Sequence, residues 1–240
     1  MFHQIKKKMK TKLNIVLVHG AFGDGSHWRN VIPALAAEGY TVRAMQLPLT
    51  TLEEDIQRTS DMVASLDGPV LLVGHSYGGM VITGAGNHPN VKGLVYVAAF
   101  APDQGEAAGG LLQLRPAPEG ATDIAQGPSG YLYVDYAKYP EVFSQGVSDD
   151  DALVMAVSQK PINGAAFGAP LANVPAWKVK PSWYQVSDND KMIQPETQTW
   201  FAERINARKT IHLNAGHASM GSHSQEVSAL ILEAAKSIQD

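Results

Sequence analysis

The stretch Val70-Leu71-Leu72-Val73-Gly74-His75-Ser76-Tyr77-Gly78-Gly79 constrains this chain more than any other. Four apolar residues run straight into a Gly-x-Ser-x-Gly pentapeptide, and small residues (Gly78, Gly79, Thr83, Gly84, Ala85) follow at helical spacing. The pattern predicts a buried strand, a sharp turn and a helix, with Ser76 presented at the turn. Such a turn explains its glycines. A side chain at Gly74 or Gly78 would collide with the neighbouring strand or helix, and the serine between them is held in strained backbone geometry. The helix N-terminus behind Ser76 favours negative charge nearby.

Strands and helices alternate on both sides of this stretch. Leu13 to Val18 is a short apolar, partly β-branched run ending in His19-Gly20, followed by the loop Ala21 to Ser26 and a helix with Val31, Ile32, Leu35 and Ala36 on one face, closed by Gly39. Tyr40 to Met45 reads as a second strand. Thr50 and Thr51 with Glu53 and Glu54 resemble a capping box opening the next helix. Gly93 to Ala98 is the fourth strand, Ser182 to Val186 the fifth and Lys209 to Leu213 the sixth. Pro195 opens the helix between the last two, and Val227, Leu230, Ile231 and Ala234 mark a final helix.

This alternation predicts an α/β fold, a doubly wound and mainly parallel sheet of about six strands covered on both faces. The rhythm breaks at Pro102. From Asp103 to Trp177 the chain is rich in Gly, Pro and Ala, with a tyrosine cluster and short helices near 140–145 and 149–159, and no strand alternation is evident. The expected organisation is a tail over residues 1–12, a core over 13–102 and 178–240, and a mainly helical cap insertion over 103–177.

At 240 residues, 45% hydrophobic and 18% charged, the chain is long enough for one sizeable core and has the composition of an ordinary globular protein. A net charge of −4, with basic residues blocked only at the N-terminus, leaves no footprint for nucleic acid. No apolar run approaches the ~18 residues of a membrane span. With no cysteine, disulfides and thiolate chemistry are excluded. A cytoplasmic location is the default for a chain without an evident signal segment, and oligomeric state leaves no trace in the sequence.

A serine hydroxyl is a weak nucleophile and needs a base within hydrogen-bond reach. Of the eight histidines, His217 is the best placed, in a Gly-His-Ala-Ser loop after the last strand, at the carboxyl edge where sites of doubly wound sheets gather. His75 should point away from the Ser76 hydroxyl, His19 should order its own loop, and His27 is expected at a pocket rim. The base needs an acid to hold its tautomer. The loop Ser187-Asp188-Asn189-Asp190-Lys191-Met192-Ile193 offers two aspartates; Asp190 is preferred to Asp188, with Asp103 third. Two main-chain donors should receive the oxyanion of a tetrahedral intermediate, the N–H of Tyr77 and that of Ala21.

The segments HGAFGDGSHW, GHSYGG, SDNDKMI and GHASM stand in the order and context of the α/β-hydrolase fold family, which the chain resembles from about residue 13 except in the insertion. Within that family it is similar to small esterases, plant-type methylesterases and hydroxynitrile lyases. By position, Ser76 matches the family's nucleophile, Asp190 its acid, His217 its base, and Ala21 and Tyr77 its oxyanion donors. There is no room before Leu13 for the antiparallel strands that often open the family's sheet. The resemblance implies a serine hydrolase acting on a small carboxylic ester through an acyl-enzyme, with no cofactor and no metal. The cap, with Tyr131, Phe143, Met155 and Phe167, is expected to supply an apolar substrate pocket, with Phe22 and Trp28 at its entrance. Two other functions are compatible with the same residues: a lyase or C–C hydrolase, assisted in hydroxynitrile lyases by a lysine near the acid loop, and a slow-turnover small-molecule receptor.

Overall fold

A computed structural model describes residues 13–239, so the tail reading over 1–12 lies outside the described residues. In chain order the core elements are β1 (Asn14–Val18), α1 (Ile32–Ala37), β2 (Thr41–Ala44), α2 (Leu52–Ala64), β3 (Val70–His75), α3 (Gly78–Ala85) and β4 (Val91–Val97). The segment that follows, here called the insertion, carries α4 (Ala108–Leu112), β5 (Ile124–Gln126), β6 (Tyr131–Val134), α5 (Tyr139–Val142), α6 (Asp149–Val157), β7 (Ile162–Asn163) and α7 (Gly164–Gly168). The core resumes with β8 (Ser182–Ser187), α8 (Pro195–Arg204), β9 (Lys209–Leu213), α9 (Ser219–Ser222) and α10 (Ser224–Ser237). Among the described residues no helix is long and apolar enough to cross a membrane.

The six strands β2-β1-β3-β4-β8-β9 form one parallel sheet. Every residue of β1, β3 and β8 is buried, as expected of strands covered on both faces, while the edge strands β2 and β9 are partly exposed. The chain runs outward from β1 to β2, then returns to the other side of β1 as β3. The loops leaving β1 and β3 therefore diverge and open a crevice at the carboxyl ends, the usual ligand position in such sheets. Local chemistry starts α2 as expected: Thr51 is its N-cap and accepts from the Glu54 N–H at 3.1 Å.

α3 lies directly beneath the crevice, with all eight residues buried. Its small side chains let the helix backbone approach the strands closely. A Cβ added at Gly74 would sit 2.6 Å from the Gly78 carbonyl oxygen, and one added at Gly79 would sit 2.0 Å from that of Phe100. Neither backbone atom can move without displacing the turn. Gly79→Ala is accordingly expected to destabilise the fold by about 3 kcal/mol, the upper end of overpacking costs. Urea denaturation checks this, and a midpoint within error of wild type would contradict the close approach.

The insertion differs from the sequence expectation in one respect. Its helices α5 and α6 fall where they were expected, but β5, β6 and β7 form a three-stranded antiparallel sheet that was not. The tyrosine cluster is in part the strand β6. Segments of three, four and two residues are too short to display an alternating pattern, and the pairing depends on partners up to some thirty residues away. Gln159 completes it, its amide bonding both the N–H and the carbonyl of Val134. The insertion is fastened to the core by main-chain bonds at both ends of the crevice, Asn163 N–H to Leu49 O at 2.8 Å, Gly120 N–H to Lys191 O at 2.8 Å and Ala218 N–H to Phe143 O at 3.0 Å.

Candidate active site

Ser76 stands between β3 and α3 with φ 52°, a left-handed conformation that non-glycine residues take at a cost of about 1–3 kcal/mol. Its main chain is over-determined: its carbonyl accepts from both Gly79 N–H (2.9 Å) and Phe100 N–H (3.1 Å), and its N–H donates to Val97 O (3.3 Å). The strain anticipated for the turn is present, and these bonds hold it.

His217 follows β9 and is 1% exposed; its Nδ1 lies 2.7 Å from Oδ2 of a fully buried Asp190. Asp190 Oδ1 accepts the N–H groups of Met192 (2.7 Å) and Ile193 (3.0 Å), and Oδ2 also accepts Gln198 Nε2 (2.7 Å). Four donors converge on one carboxylate, which satisfies a charge that would otherwise be costly to bury. An acceptor-only carboxylate requires the proton on His217 Nδ1 and leaves Nε2 with its lone pair. Asp188 faces the other way and pairs with the exposed His212 at 2.8 Å. Asp103 pairs with Lys178.

Gln198 and His75 support this pair, and neither role was apparent in the sequence. Gln198 also receives the Ser187 N–H (2.9 Å) and donates to Ile193 O (2.8 Å), binding both ends of the acid loop to α8. His75 does point away from the crevice: its Nε2 donates to the His217 carbonyl at 2.9 Å, across 142 residues. Its ring lies 4.6 Å from that of His217 and meets the edge of Trp28 at 6.5 Å. Burial, and next the neighbouring His217, hold its pKa well below the usual histidine value, so it is a neutral donor. His19 orders its loop, as expected. Nδ1 donates to Gly20 O (2.8 Å) and Nε2 accepts from Leu47 N–H (2.9 Å), and burial lowers its pKa to about 4.

Ser76 and His217 face one narrow cavity of about 20 Å³. Ala21 and Phe22 line it from the loop after β1, Phe100 from that after β4, and Met192 and Ile193 from the acid loop. Leu112, Ile124 and Phe167 close it from the insertion. The N–H groups of Ala21 and Tyr77 are bonded to no other group of the described chain. Larger clefts lie elsewhere. One of about 440 Å³ runs between Arg115–Glu119 and Asp190–Glu196, and another of about 370 Å³ lies beside Lys180 and Arg208. Neither includes Ser76 or His217, so size alone does not mark the site.

Of the six residues expected in the pocket, the structure brings Phe22 and Phe167 to the cavity and places the other four elsewhere. Phe143 packs edge-on against the His217 ring at 4.8 Å and stacks on Tyr139, whose hydroxyl donates to Phe22 O at 2.8 Å. Trp28 is fully buried behind His75, Met155 is buried on α6, and Tyr131 is partly buried on β6. His27, expected at the rim, is buried outside the cavity, 6.0 Å from the Phe143 ring. Met192 and Ile193 had a sequence signal, their place in the same loop as Asp190; Phe100, Leu112 and Ile124 had none.

Strand order, crevice and buried His–Asp pair define an α/β-hydrolase. Residues 15–230 match the alpha/beta hydrolase family, and the chain belongs to it as a hydrolase of that type. It is 27% identical to a protein of Phoma sp. named Probable hydrolase R7, over 94% of this chain and 99% of that one. It is 38% identical to a carbendazim hydrolyzing esterase of Nocardioides sp. over 44% of this chain, a match that spans half of that enzyme's length. The crystal structure of a pyrethroid hydrolase from Sphingobium faniae JZ-2 has a TM-score of 0.81 at 22% identity, over 94% of this chain and 98% of that one, which shows a shared fold.

Proposed function

We propose that this hydrolase cleaves small, uncharged carboxylic esters through an acyl-enzyme on Ser76. The observation that carries the proposal is the buried Asp190–His217 pair, whose histidine opens into the same cavity as Ser76. His217 Nε2 takes the Ser76 proton as Oγ attacks the ester carbonyl. The developing oxyanion is received by the N–H groups of Tyr77 and Ala21, which need no reorganisation because the main chain already holds them. Collapse expels the alcohol with the proton from His217, and a water deprotonated by His217 attacks the acyl-enzyme and releases the acid. Asp190 keeps Nδ1 protonated and stabilises the imidazolium in both halves.

The neutral, apolar substrate follows from the lining. Apart from Ser76 and His217, every residue named around the cavity is apolar, and a charge placed there without a partner costs several kcal/mol. Lys191 is engaged with Glu119 (2.9 Å) and Glu141 (3.8 Å) and does not line the cavity, which favours ester hydrolysis over a lysine-assisted lyase. Esterase is also what the names of the carbendazim-cleaving relative and its kin suggest. Because the cavity is so narrow, substrate enters as side chains of the insertion, Leu112, Ile124 and Phe167, give way.

A pair of p-nitrophenyl esters tests this. The butyrate is expected to turn over, and the acyl analogue ending in a free carboxylate to show kcat/KM lower by about 100-fold or more, a difference of roughly 3 kcal/mol. Equal rates would overturn the neutral-substrate reading, and tight binding without turnover would overturn the enzyme reading. A fluorophosphonate adduct located anywhere but Ser76 would overturn the mechanism.

A further inference from the structure

Asp55 is a fully buried carboxylate that the mechanism above does not use. It sits in α2, outside the cavity lining, and each of its oxygens accepts one bond: Oδ2 from the Tyr77 hydroxyl and Oδ1 from the Leu49 N–H, both at 2.9 Å. We propose that Asp55 is a positioning residue for the oxyanion site, setting the N–H donors of Tyr77 and Ala21 relative to one another through the segment Leu47–Leu49. The proposal rests on the acyl-enzyme reading and adds to it a residue that touches none of the reacting atoms.

Leu47–Leu49 is where the two donor-bearing loops meet. At one end, the Leu47 N–H donates to His19 Nε2 at 2.9 Å, and His19 Nδ1 donates to the carbonyl of Gly20, the residue before Ala21, at 2.8 Å. At the other end, the Leu49 N–H reaches Asp55 and through it the side chain of Tyr77. Tyr77 is thereby held twice, by its main chain at the start of α3 and by its hydroxyl. Leu49 has φ 59°, a left-handed conformation that costs a leucine about 1–2 kcal/mol, and its bond to Asp55 holds it there. The insertion grips the same segment through Asn163 N–H to Leu49 O and Lys160 Nζ to Leu47 O, and Phe167 stacks on the Tyr77 ring at 6.5 Å.

A buried carboxylate is a poor choice if packing were its only task. Burial raises the Asp55 carboxyl to about 6, against the opposing pull of the Leu49 and Tyr77 bonds and of Lys160. An apolar residue of similar volume would avoid that desolvation cost. What the carboxylate adds is geometry: one rigid group that fixes two donors from two segments. Oxyanion donors act only when they are already aimed at the place where charge develops.

Tyr77→Phe is the cleanest test, because it keeps the ring, its stacking and the main chain and removes only the hydroxyl. Its kcat is expected to fall about tenfold with KM within about twofold, a fraction of the ~100-fold or greater loss when a donor is removed outright. Affinity for an aryl trifluoromethyl ketone, whose adduct with Ser76 places an oxyanion between the donors, should fall in parallel. Affinity for the parent methyl ketone, which binds without forming the adduct, should not change. Asp55→Asn keeps an acceptor for the Leu49 N–H and should lose less than Asp55→Ala. A role in folding alone would lower the melting temperature and leave kcat and both affinities of the folded enzyme unchanged; that result, or a loss confined to KM, overturns the proposal. If the Asp55 variants do not fold, Tyr77→Phe decides alone. The two readings fail separately: wild-type rates in Ser76→Ala would remove the acyl-enzyme itself, whereas labelling at Ser76 with an unaltered Tyr77→Phe would remove only the role of Asp55.

Discussion

Ser76→Ala is expected to lower kcat on p-nitrophenyl butyrate by about 10⁶, leaving only the residual acceleration that binding and oxyanion donors supply. In the proposed mechanism the loss is that large because Ser76, His217 and Asp190 would act as one unit, and His217 would have nothing to deprotonate once the hydroxyl is gone. KM should change little, since the lining of the cavity is otherwise intact. Stability separates this from misfolding. Alanine inherits φ 52° and its strain, so Ser76→Ala should melt near wild type, whereas glycine takes that conformation freely and Ser76→Gly should melt higher than Ser76→Ala while being equally inactive. A variant that retained a tenth of wild-type kcat would exclude Ser76 as the nucleophile.

Asp190→Asn is expected to lower kcat by about 10⁴ with little change in fold. The hydrogen bonds dictate which way the new amide turns. The Oδ1 position receives the Met192 and Ile193 N–H groups and must remain oxygen, so the amide nitrogen replaces Oδ2 and faces His217 Nδ1 and Gln198 Nε2. A donor there forces the proton of His217 onto Nε2, where it meets the Ser76 side of the ring and blocks proton transfer. Asp188→Asn removes only an exposed pair with His212, worth no more than about 1 kcal/mol, and should leave kcat within about threefold. Stopped-flow acylation of the two variants provides the comparison, and the reverse ranking would move the acid to Asp188.

The distance between those two aspartates is a measure of what the chain alone discloses. They stand two positions apart in one loop, and the sequence favours Asp190 without showing how differently the two are surrounded. In the fold one is fully buried under four donors, and the other is exposed beside a surface histidine. The burial of Asp190 depends on Gln198, eight positions further on and on a different element, and no local pattern announces it. His75 is similar. Its place in the Gly-x-Ser-x-Gly segment showed that it faces away from the crevice, but its hold on the His217 carbonyl follows from the packing of β3 beneath the loop after β9.

In the insertion the limits were greater. Large apolar side chains marked Tyr131, Phe143, Met155 and Phe167 as pocket residues, yet of these only Phe167 reaches the cavity, which Leu112 and Ile124 close beside it. Aromatic side chains bury large areas wherever they are placed. Their presence in a segment therefore says that it docks on something, and not which face meets the substrate.

The parallel sheet, the strained serine at the end of β3 and the glycines around it were determined by the sequence itself, because each depends on near-neighbour effects: strand and helix periodicity, the sterics of a tight turn, and the short reach from one strand end to the next loop. The burial of Asp190, the support from Gln198 and His75, the three-stranded sheet of the insertion and the identity of the cavity walls appear only in the tertiary structure. Each of these is a contact between segments far apart in the chain, formed when apolar faces pack and buried polar groups take the partners that packing brings within reach.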